Sequence, residues 1–189
     1  TVAAAMALPG RCASGQEIDE TLAAAVKGAY MFSLAQYTSW PTQCLEGAEA
    51  PFVNQILGDD PHGIEAVLTD AIRQKALTVQ GHPVTVRTAT SVSEFPAALM
   101  DACHLLFLTR TMKAHWERVE TALADRPIIT VGEFAGFAEA GGMVEFSPRR
   151  RPGGRTVTID MHVNLEAVRE SDLRISAQLL GLPKGVKIV

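Results

Sequence analysis

The sequence predicts an α/β domain: a largely parallel central sheet covered by helices on both faces and completed by a C-terminal antiparallel hairpin. Three observations predict it. Short apolar runs at residues 52–57, 104–108 and 127–131 alternate with helix-length amphipathic segments, as strands joined by crossover helices do. The run His104-Leu-Leu-Phe-Leu108 is almost free of polar positions after its first residue, as burial on both faces requires. Residues 143–147 and 156–163 instead alternate apolar and polar around Pro152-Gly-Gly154, the pattern of a hairpin with one wet face. Helix-length connections imply right-handed parallel crossovers, so the arrangement is Rossmann-like and three-layered, in a single domain.

The elements follow in order. Leu22, Val26, Tyr30, Ser33 or Leu34, and Tyr37 repeat every three or four residues, which predicts a helix with one packing face. Glu17, Asp19 and Glu20 suit the positive end of its dipole, and Pro41 ends it by driving Trp40 out of helical geometry. Tyr30, Phe32, Tyr37 and Trp40 read as the aromatic side of a docking helix, with ligand stacking as the other use of Trp40. Phe52-Val-Asn-Gln-Ile-Leu57 is the first long strand, and Gly58-Asp-Asp-Pro-His-Gly63 is a tight loop. Ile64, Val67, Leu68 and Ile72 then make one helical stripe.

After the turn Gln80-Gly-His-Pro83, residues 84–88 alternate as a strand. Ser93 can cap a short helix through Phe95, Leu99 and Met100, and residues 111–124 form a helix carrying Trp116, Val119 and Leu123. Phe134-Ala-Gly-Phe-Ala-Glu-Ala-Gly-Gly142 reads as a helical turn closed by glycines. Short helices at 165–169 and 173–182 finish the chain.

The composition bounds the function. A chain of 189 residues can bury one substantial core, and a net charge of −4 offers no general attraction to nucleic acid. No apolar run approaches the roughly 20 residues of a membrane helix. The Ala-rich start, Thr1-Val-Ala-Ala-Ala-Met-Ala-Leu-Pro-Gly10, reads as the tail of a secretory signal or a disordered N-terminus over residues 1–16, with the domain at 17–189. Arg11 before Cys12 argues against a lipid-attachment site. Cys12, Cys44 and Cys103 lack the spacing of a zinc or thioredoxin motif. In an oxidising compartment Cys44 pairs with Cys103 or Cys12 with Cys44, or Cys103 stays a buried free thiol.

Catalytic motifs are missing from the sequence: it has no GxSxG elbow, no HExxH and no phosphate-cradling glycine loop, so no enzyme and no cofactor are expected. Asp59 and Asp60 after the first long strand resemble the acidic pocket of a response-regulator receiver. The aspartate and lysine that such a pocket also needs are replaced by Leu108-Thr-Arg-Thr and Thr130-Val-Gly-Glu. Asp60 with His62 offers too few ligands for a metal. Asp59, Asp60 and His62 nevertheless lie at a parallel strand end, where open α/β sheets bind ligands, and are the candidate small-molecule site.

Arg149-Arg-Arg-Pro-Gly-Gly-Arg155 is the dense basic cluster. It reads as a solvated hairpin tip, or as a patch of Arg149, Arg150 and Arg151 that steers an acidic partner. Leu173, Ile175, Leu179, Leu180 and Leu182 exceed what one narrow helical face must bury, and of these Ile175, Leu179 and Leu180 join Phe137 and Met143 as candidates for exposure. They are the candidate apolar surface for a protein partner or for homodimerisation.

Several segments resemble the YfiR-like family, in order and at compatible distances. They are Tyr30-Met-Phe-Ser-Leu-Ala-Gln-Tyr-Thr-Ser-Trp-Pro41, the loop 58–63, Gly81-His-Pro-Val84, Cys103-His-Leu-Leu-Phe-Leu108, Gly136-Phe-Ala-Glu-Ala-Gly-Gly-Met143, Val163-Asn-Leu165 and Leu173-Arg-Ile-Ser-Ala-Gln-Leu-Leu180. The resemblance implies a periplasmic, non-enzymatic protein, secreted through a signal peptide. It would inhibit a membrane-anchored diguanylate cyclase through that enzyme's periplasmic domain, lowering cyclic di-GMP and biofilm formation. An outer-membrane lipoprotein would sequester it. This chain has Gln55 where the family's better-known member has a cysteine bonded to the equivalent of Cys103, and it lacks that member's second pair near residues 140–155. The alternative is a periplasmic small-molecule sensor that signals to another receptor.

Overall fold

The computed structural model describes residues 15–45, 47, 49–124, 126–150, 157–180 and 186–189. The signal-like start, Cys12 and Arg151 lie outside the described residues. In chain order the elements are α1 (Gly15–Tyr37), β1 (Thr38–Ser39), β2 (Phe52–Leu57), α2 (Ile64–Lys75), β3 (Thr78–Val79), β4 (His82–Ala89), α3 (Ala97–Asp101) and β5 (Leu105–Leu108). There follow α4 (Trp116–Leu123), β6 (Ile129–Gly132), β7 (Val144–Arg150), β8 (Val157–Val163), α5 (Leu165–Glu170), β9 (Arg174–Ile175), α6 (Ala177–Leu180) and β10 (Val186–Ile188).

The main sheet runs β10-β8-β7-β6-β5-β2-β4-β3. β4, β2, β5, β6 and the start of β7 are parallel, and β7 and β8 form the expected antiparallel hairpin, with Val144 opposite Val163 and Arg150 opposite Val157. β5 shows why the sheet needs cover on both sides. Leu105 and Phe107 enter the core under α1 and α2, while Leu106 and Leu108 enter a second core under α3 and α4. This is the predicted three-layer architecture.

Ser93, expected as a helix cap, lies inside a short turn at Val92–Glu94, and α3 begins after Pro96. Two other differences from expectation bear on packing. The buried stripe of α1 is Ala24, Lys27, Gly28, Met31, Leu34 and Ala35, rotated away from Leu22 and Tyr37, which face solvent. Small residues explain the rotation: a Cβ on Gly28 would stand 3.3 Å from Leu68 of α2, so glycine lets the two helices approach closely. The segment read as one C-terminal helix is broken, because Arg174 and Ile175 form β9 and pair antiparallel with Ser39 and Thr38 of β1. This short ladder ties the end of α1 to the last part of the chain.

Candidate functional site

The strand order places β2 between β4 and β5, which it reaches through connections on opposite faces. The ends of β2 and β5 therefore form the crevice where open α/β sheets commonly hold ligands. Here the crevice is closed by its own side chains. Gly58 has φ 102, and a Cβ there would overlap the hydroxyls of Thr109 and Thr111. Thr109 Oγ1 and Thr111 Oγ1 are 2.9 Å apart, and Thr111 Oγ1 accepts from the Asp59 backbone N–H at 3.2 Å.

The three candidate ligand residues are placed beside this closure. Both carboxylate oxygens of Asp60 accept from the start of α2, one from Ile64 N and one from Glu65 N, each at 2.9 Å. Asp60 thus occupies the positive end of the helix dipole that an anionic ligand would seek. His62 Nδ1 lies 3.7 Å from the Glu20 carboxylate on α1, and Asp59 is exposed.

A buried ion pair seals the neighbouring strand end. Lys27 of α1 donates to Glu133, which follows β6, and each side chain is about 7% exposed. The other Glu133 oxygen accepts from Arg110 N at 3.3 Å. Sequence reasoning passed over this pair, although a lysine three residues after Ala24 and four before Met31 was a legible irregularity.

The glycine-rich segment after β6 is a packing device. Phe137 is fully buried, and a Cβ on either Gly132 or Gly142 would overlap its ring. Trp116 and Phe134 meet that ring edge-on at 4.5 and 5.1 Å. Met143 and Leu179 are buried as well. The expected apolar surface is therefore not made by Phe137, Met143 or Leu179: flanking glycines exist to admit the ring, and Leu179 points inward from α6. Ile175 and Leu180 remain half-buried. They belong to the same end of the fold as Tyr37, 41% exposed, and Ile188 and Val189, 59% and 57% exposed.

β7 continues past β6, since only Val144 and Glu145 pair with it. Arg149 lies on the continuation with 64% of its side chain exposed, 3.2 Å from Asp160 of β8. Arg150 belongs to β7, and its side chain, like all of Arg151, lies outside the described residues.

Trp40 packs edge-on against Phe52 at 5.0 Å, and Phe52 stacks on His104 at 4.9 Å, so Trp40 takes the docking role. His104 Nδ1 accepts from Val53 N, which leaves Nε2 as the donor to the Cys44 carbonyl at 2.8 Å. Burial holds this imidazole below its ordinary pKa. Cys44 and Cys103 are free thiols, so the candidate 44–103 disulfide is not formed. Burial pushes the Cys103 thiol up to about 12, which leaves it unreactive as a nucleophile.

A cleft of about 330 Å³ lies near the start of β6, at the opposite end of the sheet from residues 58–63. Trp116, Glu120, Thr130, Met143, Ala167 and Ser171 are among its walls. Partial burial, and then neighbouring Glu117, raise the Glu120 carboxyl above the usual range.

Residues 24–184 match the model of the YfiR/HmsC-like family. The chain belongs to this family. The match takes in every strand from β1 to β9 and all of α2 to α6, and so it embraces the sealed strand ends and the hairpin alike. Comparison with curated proteins finds no match. Among the described residues no helix of this family member is long and apolar enough to cross a membrane.

Proposed function

We propose that this YfiR/HmsC-like protein is a periplasmic regulator that binds and inhibits a membrane-anchored diguanylate cyclase, lowering cyclic di-GMP and biofilm formation. The observation that carries the reading is the family match across residues 24–184. Two features support it. The polar groups at the parallel strand ends, Asp60, Thr109, Lys27 and Glu133, already serve the fold. Exposed recognition chemistry lies elsewhere, in Arg149 on the hairpin and in the half-buried and exposed apolar residues Tyr37, Ile175, Leu180 and Ile188.

The mechanism is a population shift. A regulator that binds the inactive cyclase about 100-fold more tightly than the active one moves an evenly balanced enzyme to about 1% active, a bias of roughly 2.7 kcal/mol. The arginines accelerate encounter with an acidic partner and lose effect as salt rises, while the apolar residues set the lifetime of the complex. An outer-membrane lipoprotein competing for the same surface relieves the inhibition.

The test is capture of the cyclase's periplasmic domain by the purified protein, with cyclic di-GMP measured in a deletion strain. Capture together with raised cyclic di-GMP on deletion is the expected result. Absence of association together with unchanged cyclic di-GMP would discard the reading. The cleft beside Trp116 and Glu120 favours a second one, a periplasmic small-molecule sensor acting on another receptor. Strong thermal stabilisation by an amino acid or vitamin, with no cyclase bound, would select it.

A further inference from the structure

The segment between β1 and β2 is fastened to the fold by imidazoles. Cys44 N donates to Pro41 O and Ala50 N to Gly47 O, and both bonds stay within the segment. Among the described residues, two hydrogen bonds tie positions 41–50 to the rest of the protein. His104 Nε2 donates to the Cys44 carbonyl at 2.8 Å, and His82 Nδ1 donates to the Ala50 carbonyl at 2.9 Å. Half-buried Leu45 adds an apolar contact to the main core. The segment is a strap with a histidine near either end.

The two rings differ in what a second proton does to them. His82 needs only a donor at Nδ1, which the imidazolium supplies as well as the neutral ring does. His104 must also accept, because its Nδ1 takes the Val53 N–H at 3.1 Å. Val53 O accepts from His104 N, so the Val53 N–H faces the same side, at a level where β5 has not yet begun. The ring supplies the acceptor that the strand does not. Protonation sets one N–H against another there and puts a charge on a residue only 6% exposed. Among the described residues the Cys44 carbonyl favours that charge and His82, when protonated, opposes it. Phe52 and Val53 of β2 bring no charge, and burial keeps the Cys44 and Cys103 thiols neutral. Glu49 of the strap is exposed, and Asp101 on the α3 side is bonded to Arg126.

We infer that protonation of His104 opens the strap from its Cys44 end, while His82 holds the Ala50 end in place. The protonated ring leaves its seat between Val53 N and Cys44 O and gives up its stack on Phe52, against which Trp40 packs at 5.0 Å. Trp40 follows β1, which pairs with β9, so the opening begins beside the ladder that carries Ile175. Burial holds the folded imidazole below its ordinary value. The closed strap therefore has its full stability above about pH 6.5, where the ring is neutral in both states, and loses it as the pH falls below that value. Opening becomes about tenfold more frequent for each pH unit, until the folded ring itself titrates.

The device is independent of cyclase binding and is tested on the full chain alone. Amide exchange of Val53, divided by the unstructured-peptide rate at each pH, reports the His104 seat, and exchange of Leu106 in the middle of β5 reports global opening. Between about pH 7.5 and 4.5, Val53 protection is expected to fall about tenfold per unit below about 6.5 while Leu106 keeps its protection. In the Cys12→Ser chain, modification of Cys44 by a pyridyl disulfide, relative to the unfolded chain at the same pH, should accelerate over the same range. His104→Gln keeps a neutral side chain with a donor and an acceptor and should make Val53 protection independent of pH, whereas His82→Gln should leave the slope in place. If His104→Gln does not fold, magnetic-resonance titration of the His104 ring in the unsubstituted chain carries the test, and its midpoint must lie below about 6.5. Constant Val53 protection, an equal fall at Leu106, Cys44 reactivity that does not follow Val53, a slope that survives in folded His104→Gln, or a ring that titrates at its ordinary value overturns the proposal.

Discussion

At the ends of the parallel strands Gly58, Thr109, Thr111, Lys27 and Glu133 contact or bond to one another, whereas on the hairpin Arg149 leaves most of its side chain in water. Both regions looked functional in sequence, one by its position in an α/β sheet and the other by its charge. The structure separates them. A strand end whose donors and acceptors are paired internally contributes stability and has little left to offer a ligand. A hairpin that outruns its neighbour still sets Phe146 and Ile159 into the core, while it leaves Arg149 beside open solvent. In this chain the usual α/β site has been turned to structural use.

The contrast can be broken most directly at Lys27. Replacing it with Met strands the Glu133 carboxylate in a buried site, and urea denaturation should show a loss of about 3–5 kcal/mol. An unchanged midpoint would mean that water reaches Glu133 and that the strand ends are not sealed. Gly132→Ala forces a methyl into the Phe137 ring and should cost about 1–3 kcal/mol, with weakened near-ultraviolet dichroism from Trp116. Asp60→Ala removes the acceptor for two α2 amides and is expected to lower stability by about 1 kcal/mol. Ligand-dependent stabilisation that vanishes in the same variant would instead return Asp60 to a binding role. Arg149→Ala takes the guanidinium from the Asp160 carboxylate, whose side chain is only 10% exposed, and should cost about 1 kcal/mol, held to that by the open solvent around Arg149. Its effect should appear in the salt dependence of partner capture.

The fold was legible where burial is two-sided. Phe52–Leu57 and Leu105–Leu108 have patterns that only interior strands satisfy, and the alternation of β7 and β8 announced their antiparallel pairing. β1, β3 and β9 were missed because two residues carry no period. The face of α1 was misread because its closest packing is made by Ala24, Gly28 and Ala35, which weigh little in an apolar pattern, and because a lysine lies among them. Phe137 was placed on the surface because glycines usually mark exposed turns. Its enclosure depends on Gly132 and Gly142 meeting in space, which sequence spacing does not display. Ile175 and Leu180 keep partial exposure, and the fate of Leu179 turned on which way a four-residue helix was rotated.

The contact between Lys27 and Glu133 spans 106 positions, and α1 also packs on β8 and, through Tyr30 and Phe146, on β7. During synthesis α1 must therefore wait for the chain as far as β6 and the β7–β8 hairpin before its interior side finds a home. Until then it presents Met31 and Leu34 to whatever surrounds it, so maturation of the nascent product is set by the arrival of its distal half.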